Sequence, residues 1–236
     1  MNRIKASIPN TITCLNLLSG AVACIFAFSS MVPFGPLSGY QWAFVFIAAA
    51  AVFDFCDGAS ARLLHAYSAV GKELDSLADL VSFGLAPSLL IYNTMAFYEG
   101  YDSVLCWTAL PALFIAAMGA LRLARFNVDD RQATEFIGLP IPANAIFWIG
   151  FIAWMNSHIY VGRWVMWALI LALGLLMVCN MRMFSLKFKN FALAENFRRY
   201  VLIAGAVLFV IFEGVSGLAW TIVLYLALSA LPRRDI

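Results

Sequence analysis

Charge is what this chain has least of. Asp, Glu, Lys and Arg make up 12% of its 236 residues, against 64% hydrophobic, and the mean hydropathy is +0.88. A soluble domain of this length has no core large enough to hide so much apolar surface. The composition therefore excludes a soluble enzyme and predicts an all-α polytopic membrane protein with a single domain, residues 1–236. Histidine is scarcer still: His65 and His158 stand apart, with no partner that suggests a ligand pair. The five cysteines, Cys14, Cys24, Cys56, Cys106 and Cys179, lie singly in apolar runs with no CxxC or Cys/His spacing. That pattern excludes a short-spaced zinc centre or disulfide framework and reads as structural thiols. Internal repeats and low-complexity stretches are also missing, and with them the inverted-repeat signature of many transporters.

Long apolar runs are present instead, at roughly 12–32, 40–64, 73–97, 103–126, 141–159, 162–182, 198–214 and 217–231. They predict about eight transmembrane helices in a bundle over 12–231, or six plus a short hairpin where Gly214 and Gly217 split the last two. Gly84 and Pro87 interrupt the third run and predict a kink. Residues 1–11 form a short basic segment, expected as an interfacial helix that bends at Pro9, and 232–236 form a tail. With the N-terminus inside, every one of the 15 Lys and Arg except Arg163 falls on the inner side. This asymmetry predicts cytoplasmic termini, and the inner membrane if the source is bacterial. Phe184, Phe188 and Phe191, beside several cations, suggest an amphipathic segment on the inner leaflet over 184–199, with core packing or a plain linker as alternatives.

Against this background, residues 54–79 stand out. Asp54 and Asp57 are spaced i, i+3, and Asp75 and Asp79 i, i+4, so each pair shares a helix face. Ionised carboxylates near a bilayer are costly unless they meet a cation or water, and four together repel one another. A divalent metal resolves both problems. Oxygen-only ligands favour Mg²⁺, Mn²⁺ or Ca²⁺ over zinc. A second informative stretch places Arg122 and Arg125 at i, i+3 with Asn127 just beyond. Two guanidinium groups on one face suit a carboxylate or phosphate, or else anchor the topology. Asn10 and Thr13 stand at the mouth of the first run, where such side chains also cap helices.

The pattern Asp54-x-x-Asp57-Gly58-x-x-Ala61-Arg62, eight residues, then Gly71-x-x-x-Asp75-x-x-x-Asp79 resembles the signature of the CDP-alcohol phosphotransferase family, with every fixed position present. The family consists of integral membrane enzymes that move a phosphatidyl or similar group from a CDP-linked donor to an alcohol. The resemblance implies a divalent metal, in the form of two ions, held by Asp54, Asp57, Asp75 and Asp79, with Asp79 also the general base. It implies a donor pocket of Asp54, Asp57, Gly58, Ala61 and Arg62, to which Asn10 and Thr13 could add. The stretches 8–20, 121–130 and 136–145 further resemble the membrane-embedded phosphatidylserine synthases within the family. That implies CDP-diacylglycerol and L-serine as substrates, phosphatidylserine and CMP as products, and Arg122, Arg125 and Asn127 on the acceptor or phosphate. A homodimer among membrane lipids is the implied assembly. Glycerol-3-phosphate or an inositol phosphate as acceptor stays open, as does a divalent-metal transporter.

Overall fold

The computed structural model describes residues 3–100, 105–128, 136–184, 186, 190 and 192–231. The tail at 232–236, Phe188 and Phe191 lie outside these residues. Helix α1 (Arg3–Phe28) and helix α2 (Gly39–Leu63) are joined by a hairpin of β1 (Pro33–Phe34) and β2 (Leu37–Ser38), with Pro33 opposite Ser38 and Phe34 opposite Leu37. The bend expected at Pro9 does not break α1. The missing N–H costs only the bond to the carbonyl of Lys5, in the first turn of the helix. Ser38 and Gln41 form a capping box that starts α2, with the Ser38 N–H donating to Gln41 Oε1 at 2.9 Å. Phe26 of α1 then stacks on Trp42 and Phe46 of α2, at ring distances of 5.9 and 5.7 Å.

The end of α2 is a tight left-handed cap. Ala66 N–H donates to Ala61 O at 3.0 Å and His65 takes φ +49°, a conformation in which glycine is usual. Three residues after His65, Ser68 opens α3 (Ala69–Asp79) by accepting from Gly71 N–H at 2.9 Å. The kink expected from Gly84 and Pro87 takes the form of a π-helical turn, Leu80–Leu85, between α3 and α4 (Ala86–Tyr98). Pro87 has no N–H to donate. The wider turn lets Ala86 N–H reach Val81 O, and Ser88 Oγ donates to Gly84 O at 2.8 Å. Aspartate 79 thus stands at the last residue before a change of helical pitch.

Helix α5 (Phe114–Val128) follows a 3-10 turn at Leu110–Leu113, and α6 (Ile141–Ser157) and α7 (Arg163–Val178) come next. Strand β3 (Phe136–Ile137) pairs antiparallel with β4 (Arg182–Met183), which ties the connections after α5 and α7 together. Helix α6 is apolar all round and sits in the core, with Trp148, Ile152 and Met155 fully buried. Helices α8 (Leu193–Glu213) and α9 (Gly217–Ala230) fold back on each other around a 3-10 turn where Gly214 takes φ +58°. A Cβ placed on Gly205 would lie 2.4 Å from Leu224 Cδ2, so the two helices touch along the hairpin. Phe184, from the expected amphipathic segment, is buried, with its ring 5.0 Å from that of Tyr225.

Among the described residues, five helical runs are long and apolar enough to cross a membrane: Ser7–Phe28, Gly39–Leu63, Ala69–Tyr98, Leu110–Val128 and Asn196–Ala230. The last of these contains the α8–α9 hairpin. Helix α6 has 17 residues and α7 has 16. At about 1.5 Å per residue each spans roughly 25 Å, slightly under the ~30 Å hydrocarbon layer. The chain is an all-α polytopic membrane protein.

Candidate active site

Helices α1, α2 and α3 converge at one end of the bundle on a cavity of about 560 Å³. Its lining includes Asn10 and Thr13 from α1, Asp54, Asp57, Gly58, Ala61 and Arg62 from α2, and Gly71, Lys72 and Asp75 from α3. Ligand oxygens of Asp54, Asp57 and Asp75 all lie within 4.8 Å of one another. Two unit charges at that separation repel by about 3 kcal/mol at an effective permittivity of ~20, and there are three such pairs. Asp57 Oδ2 and Asp75 Oδ1 are buried without a hydrogen-bond partner. Orphaned carboxylate oxygens facing each other across two helices suit a hard divalent cation, so the donor set fits the metal expected from the sequence.

Asp79 stands apart from that triad. It lies one turn deeper along α3, where its Oδ1 accepts from Asn16 Nδ2 at 3.2 Å. Asn16 is fully buried, and its Oδ1 in turn accepts from Ser82 Oγ at 2.7 Å, in the π-helical turn. Ser82 and α1 meet at Gly20, where an added Cβ would lie 2.3 Å from Ser82 Oγ and 2.7 Å from Ser82 Cα. Close approach of α1 to the π-turn thus holds Asn16 against Asp79. Asn16 and Ser82 were not singled out from the sequence. The i, i+3, i+6 spacing of Asn10, Thr13 and Asn16 in an apolar helix is the signal that could have found Asn16.

The glycines of the motif divide by what surrounds them. A Cβ at Gly58 would meet nothing within 4 Å, so this glycine faces the open cavity and packs against no helix. At Gly71 a Cβ would sit 3.0 Å from both Asn10 Oδ1 and Ser68 Oγ, so this glycine lets the first turn of α3 close on α1. Arg62 and Lys72 are both exposed and both line the cavity. Phe55, one residue from Asp54, is 70% exposed and also lines it.

Arg122, Arg125 and Asn127 occupy a different place. Arg122 is buried, and its Nη1 donates to Ile137 O at 2.7 Å and Met177 O at 3.3 Å. Arg125 Nη1 donates to Val178 O at 2.8 Å. Met177 and Val178 end α7, whose last carbonyls have no intrahelical donors. Two guanidinium groups from α5 cap them, where the helix dipole also favours positive charge. Asn127 donates from Nδ2 to Ser76 Oγ at 2.9 Å and accepts Lys72 Nζ on its carbonyl at 3.0 Å. None of the three is among the described residues that line the cavity. His65 lies in the α2–α3 loop, and His158 stacks on Trp154 at the opposite end of the bundle.

The sequence model for CDP-alcohol phosphatidyltransferases matches residues 6–178, which takes in the whole motif and all but the first three residues of the converging helices. The chain belongs to that family. Among proteins similar to this family member is the CDP-diacylglycerol–serine O-phosphatidyltransferase of Helicobacter pylori (strain ATCC 700392 / 26695), 34% identical over 203 residues, or 83% of this chain and 77% of that protein. The enzyme of the same name from Bacillus subtilis (strain 168) is 37% identical over 133 residues, 56% of this chain and 70% of the other. That of Methanocaldococcus jannaschii is 34% identical over 176 residues, 75% and 73% respectively. Membership accounts for the carboxylate triad of this transferase and for its place at the end of spanning helices.

Proposed function

We propose that the protein is a CDP-diacylglycerol–serine O-phosphatidyltransferase. The observation that carries the reading is the cavity whose walls are the motif residues and at which three carboxylates meet within 4.8 Å. The printed activity of the relatives supports serine as the acceptor.

Asp54, Asp57 and Asp75 would hold divalent metal, Mg²⁺ or Mn²⁺, as two ions, with Asp79 as a further ligand. When bound, the metal supplies positive charge to the donor diphosphate and to the phosphate that departs. Gly58 and Ala61 leave the α2 backbone open to the nucleotide, Arg62 pairs with the diphosphate, and Asn10 and Thr13 close the pocket from α1. Asp79, oriented by Asn16, takes the proton of the serine hydroxyl as that oxygen bonds to the phosphorus carrying diacylglycerol. The bond from this phosphorus to the bridging oxygen breaks, its electron pair leaves with CMP, and phosphatidylserine remains. Arg122, Arg125 and Asn127 act on the wall behind the cavity by fixing the end of α7 and the start of α3 to α5. Val52 and Phe55, both exposed on α2, offer an apolar flank for the donor's acyl chains.

Arg62, Lys72 and Arg125 cluster at the cavity end, whereas Arg163 pairs with Glu99 at 3.5 Å at the other. This distribution supports a cytoplasmic site, in the inner membrane of a bacterial host. A homodimer belongs to the same reading and is checked by cross-linking in native membranes.

The test uses purified protein in detergent with CDP-diacylglycerol and Mn²⁺ or Mg²⁺, and offers each alcohol in turn. Serine-dependent CMP release that yields phosphatidylserine, is abolished by chelator and is lost in Asp79→Asn is the expected result. Release only with glycerol-3-phosphate or an inositol phosphate would overturn the acceptor. If no alcohol releases CMP under any metal, the transferase reading of the cavity is overturned.

A further inference from the structure

A serine acceptor brings a carboxylate into a cavity already crowded with carboxylates, so a cation must meet it. Arg122 and Arg125 donate through Nη1 to the carbonyls of Ile137, Met177 and Val178, and neither is among the described residues that line the cavity. The cations among the described lining residues are Arg62 and Lys72. Arg62 sits on α2 one turn beyond Gly58, on the side opened to the nucleotide. Lys72 sits on α3 with Asp75 and Asp79, in an i, i+3, i+7 stripe that faces one way.

Distance along that stripe matches the substrate. Lys72 lies three residues, or about 4.5 Å of helix rise, from Asp75. In serine the hydroxyl oxygen and a carboxylate oxygen are four bonds apart, about 4 Å. Asp79 lies seven residues, or about 10.5 Å of rise, from Lys72, so a hydroxyl about 3 Å from Asp79 leaves its carboxylate within about 4 Å of the level of residue 72. The side chain is held ready for this: Lys72 Nζ donates to Asn127 O at 3.0 Å, which uses one of its three donors and fixes the ammonium at the cavity wall. A single ammonium matches a carboxylate of one charge better than a phosphate dianion.

On the reading of serine as acceptor, we propose that Lys72 binds the serine carboxylate and sets the preference for an amino-acid acceptor. The measurement is steady-state kinetics of the detergent-purified full chain, with serine and CDP-diacylglycerol varied separately in the unaltered protein, Lys72→Gln and Lys72→Arg. Loss of a charge-assisted hydrogen bond predicts a serine KM raised about 10- to 100-fold in Lys72→Gln. The donor KM moves far less, and Lys72→Arg recovers most of the serine KM. A thermal scan of each variant accompanies the kinetics to separate binding from folding. Serine and donor KM rising together, kcat alone falling, or no change in Lys72→Gln would each overturn the assignment while leaving the serine reading intact. An unaltered protein that releases no CMP with serine would overturn both.

Discussion

Gly20→Ala offers a sharp test of how packing positions Asp79, the proposed base. The new Cβ would lie 2.7 Å from Ser82 Cα and 2.3 Å from Ser82 Oγ. An ordinary carbon–carbon contact needs about 3.5–4.0 Å, so α1 and the π-helical turn must part by roughly 1 Å. Rotating the Ser82 side chain away does not relieve the clash with its backbone. Such a shift stretches the 3.2 Å bond from Asn16 to Asp79 and the 2.7 Å bond from Ser82 to Asn16 past hydrogen-bonding distance. Overpacking costs about 1–3 kcal/mol, and each lost hydrogen bond about 1 kcal/mol more. The sum of about 3–5 kcal/mol lowers the melting temperature of a chain of this size by about 6–20 °C. Displacing a base by 1 Å lowers turnover by about 100-fold. The assay is a thermal scan in detergent together with CMP release at saturating serine. Adding Ser82→Gly to Gly20→Ala removes the Oγ clash but not the one with Cα, and so restores stability only in part. A Gly20→Ala protein that melts within about 2 °C of the unaltered one and turns over at the same rate would refute the reasoning.

Two further outcomes follow from the geometry. His65→Gly relieves a left-handed conformation that costs a β-carbon about 1 kcal/mol, so it raises the melting temperature by about 2–4 °C. A fall would mean that the histidine side chain does more than occupy the cap. Arg122→Met strips donors from the carbonyls of Ile137 and Met177 and lowers stability by about 2 kcal/mol. Denaturant melts measure that loss, and a selective rise in serine KM would return Arg122 to an acceptor-binding role.

The spacing of the aspartates made the site legible in the sequence because two short helical segments fix which carboxylates share a face, and the loop between them is short. Gly58 was readable for the same reason: Asp54, Ala61 and Arg62, at i−4, i+3 and i+4 from it, already define the face it occupies. Arg122 and Arg125 were legible as a cationic pair, but not the groups they would meet. The carbonyls they cap belong to the end of α7, more than 50 residues away, and that end is placed by the close packing of α7 at Gly174 on Phe114 of α5 and by the pairing of β3 with β4. Asn16 shares the i, i+3, i+6 spacing of Asn10 and Thr13, but the spacing names no partner, and its partners Asp79 and Ser82 lie more than 60 residues away. The hairpin at Gly214 was marked by its glycines, whereas the lengths of α6 and α7 depended on where the polar connections between them fold back.

Phe55, one residue from Asp54, lines the cavity and is also exposed on the outside of a helix long and apolar enough to cross a membrane. A donor with two acyl chains can therefore present its diphosphate without leaving the leaflet. Its encounter with the enzyme is a search in two dimensions, and the new phospholipid departs along the same plane. The rate then follows the mole fraction of donor in the bilayer rather than its bulk concentration, so diluting the donor with inert lipid at fixed total amount slows the reaction, whereas diluting the vesicles in water does not.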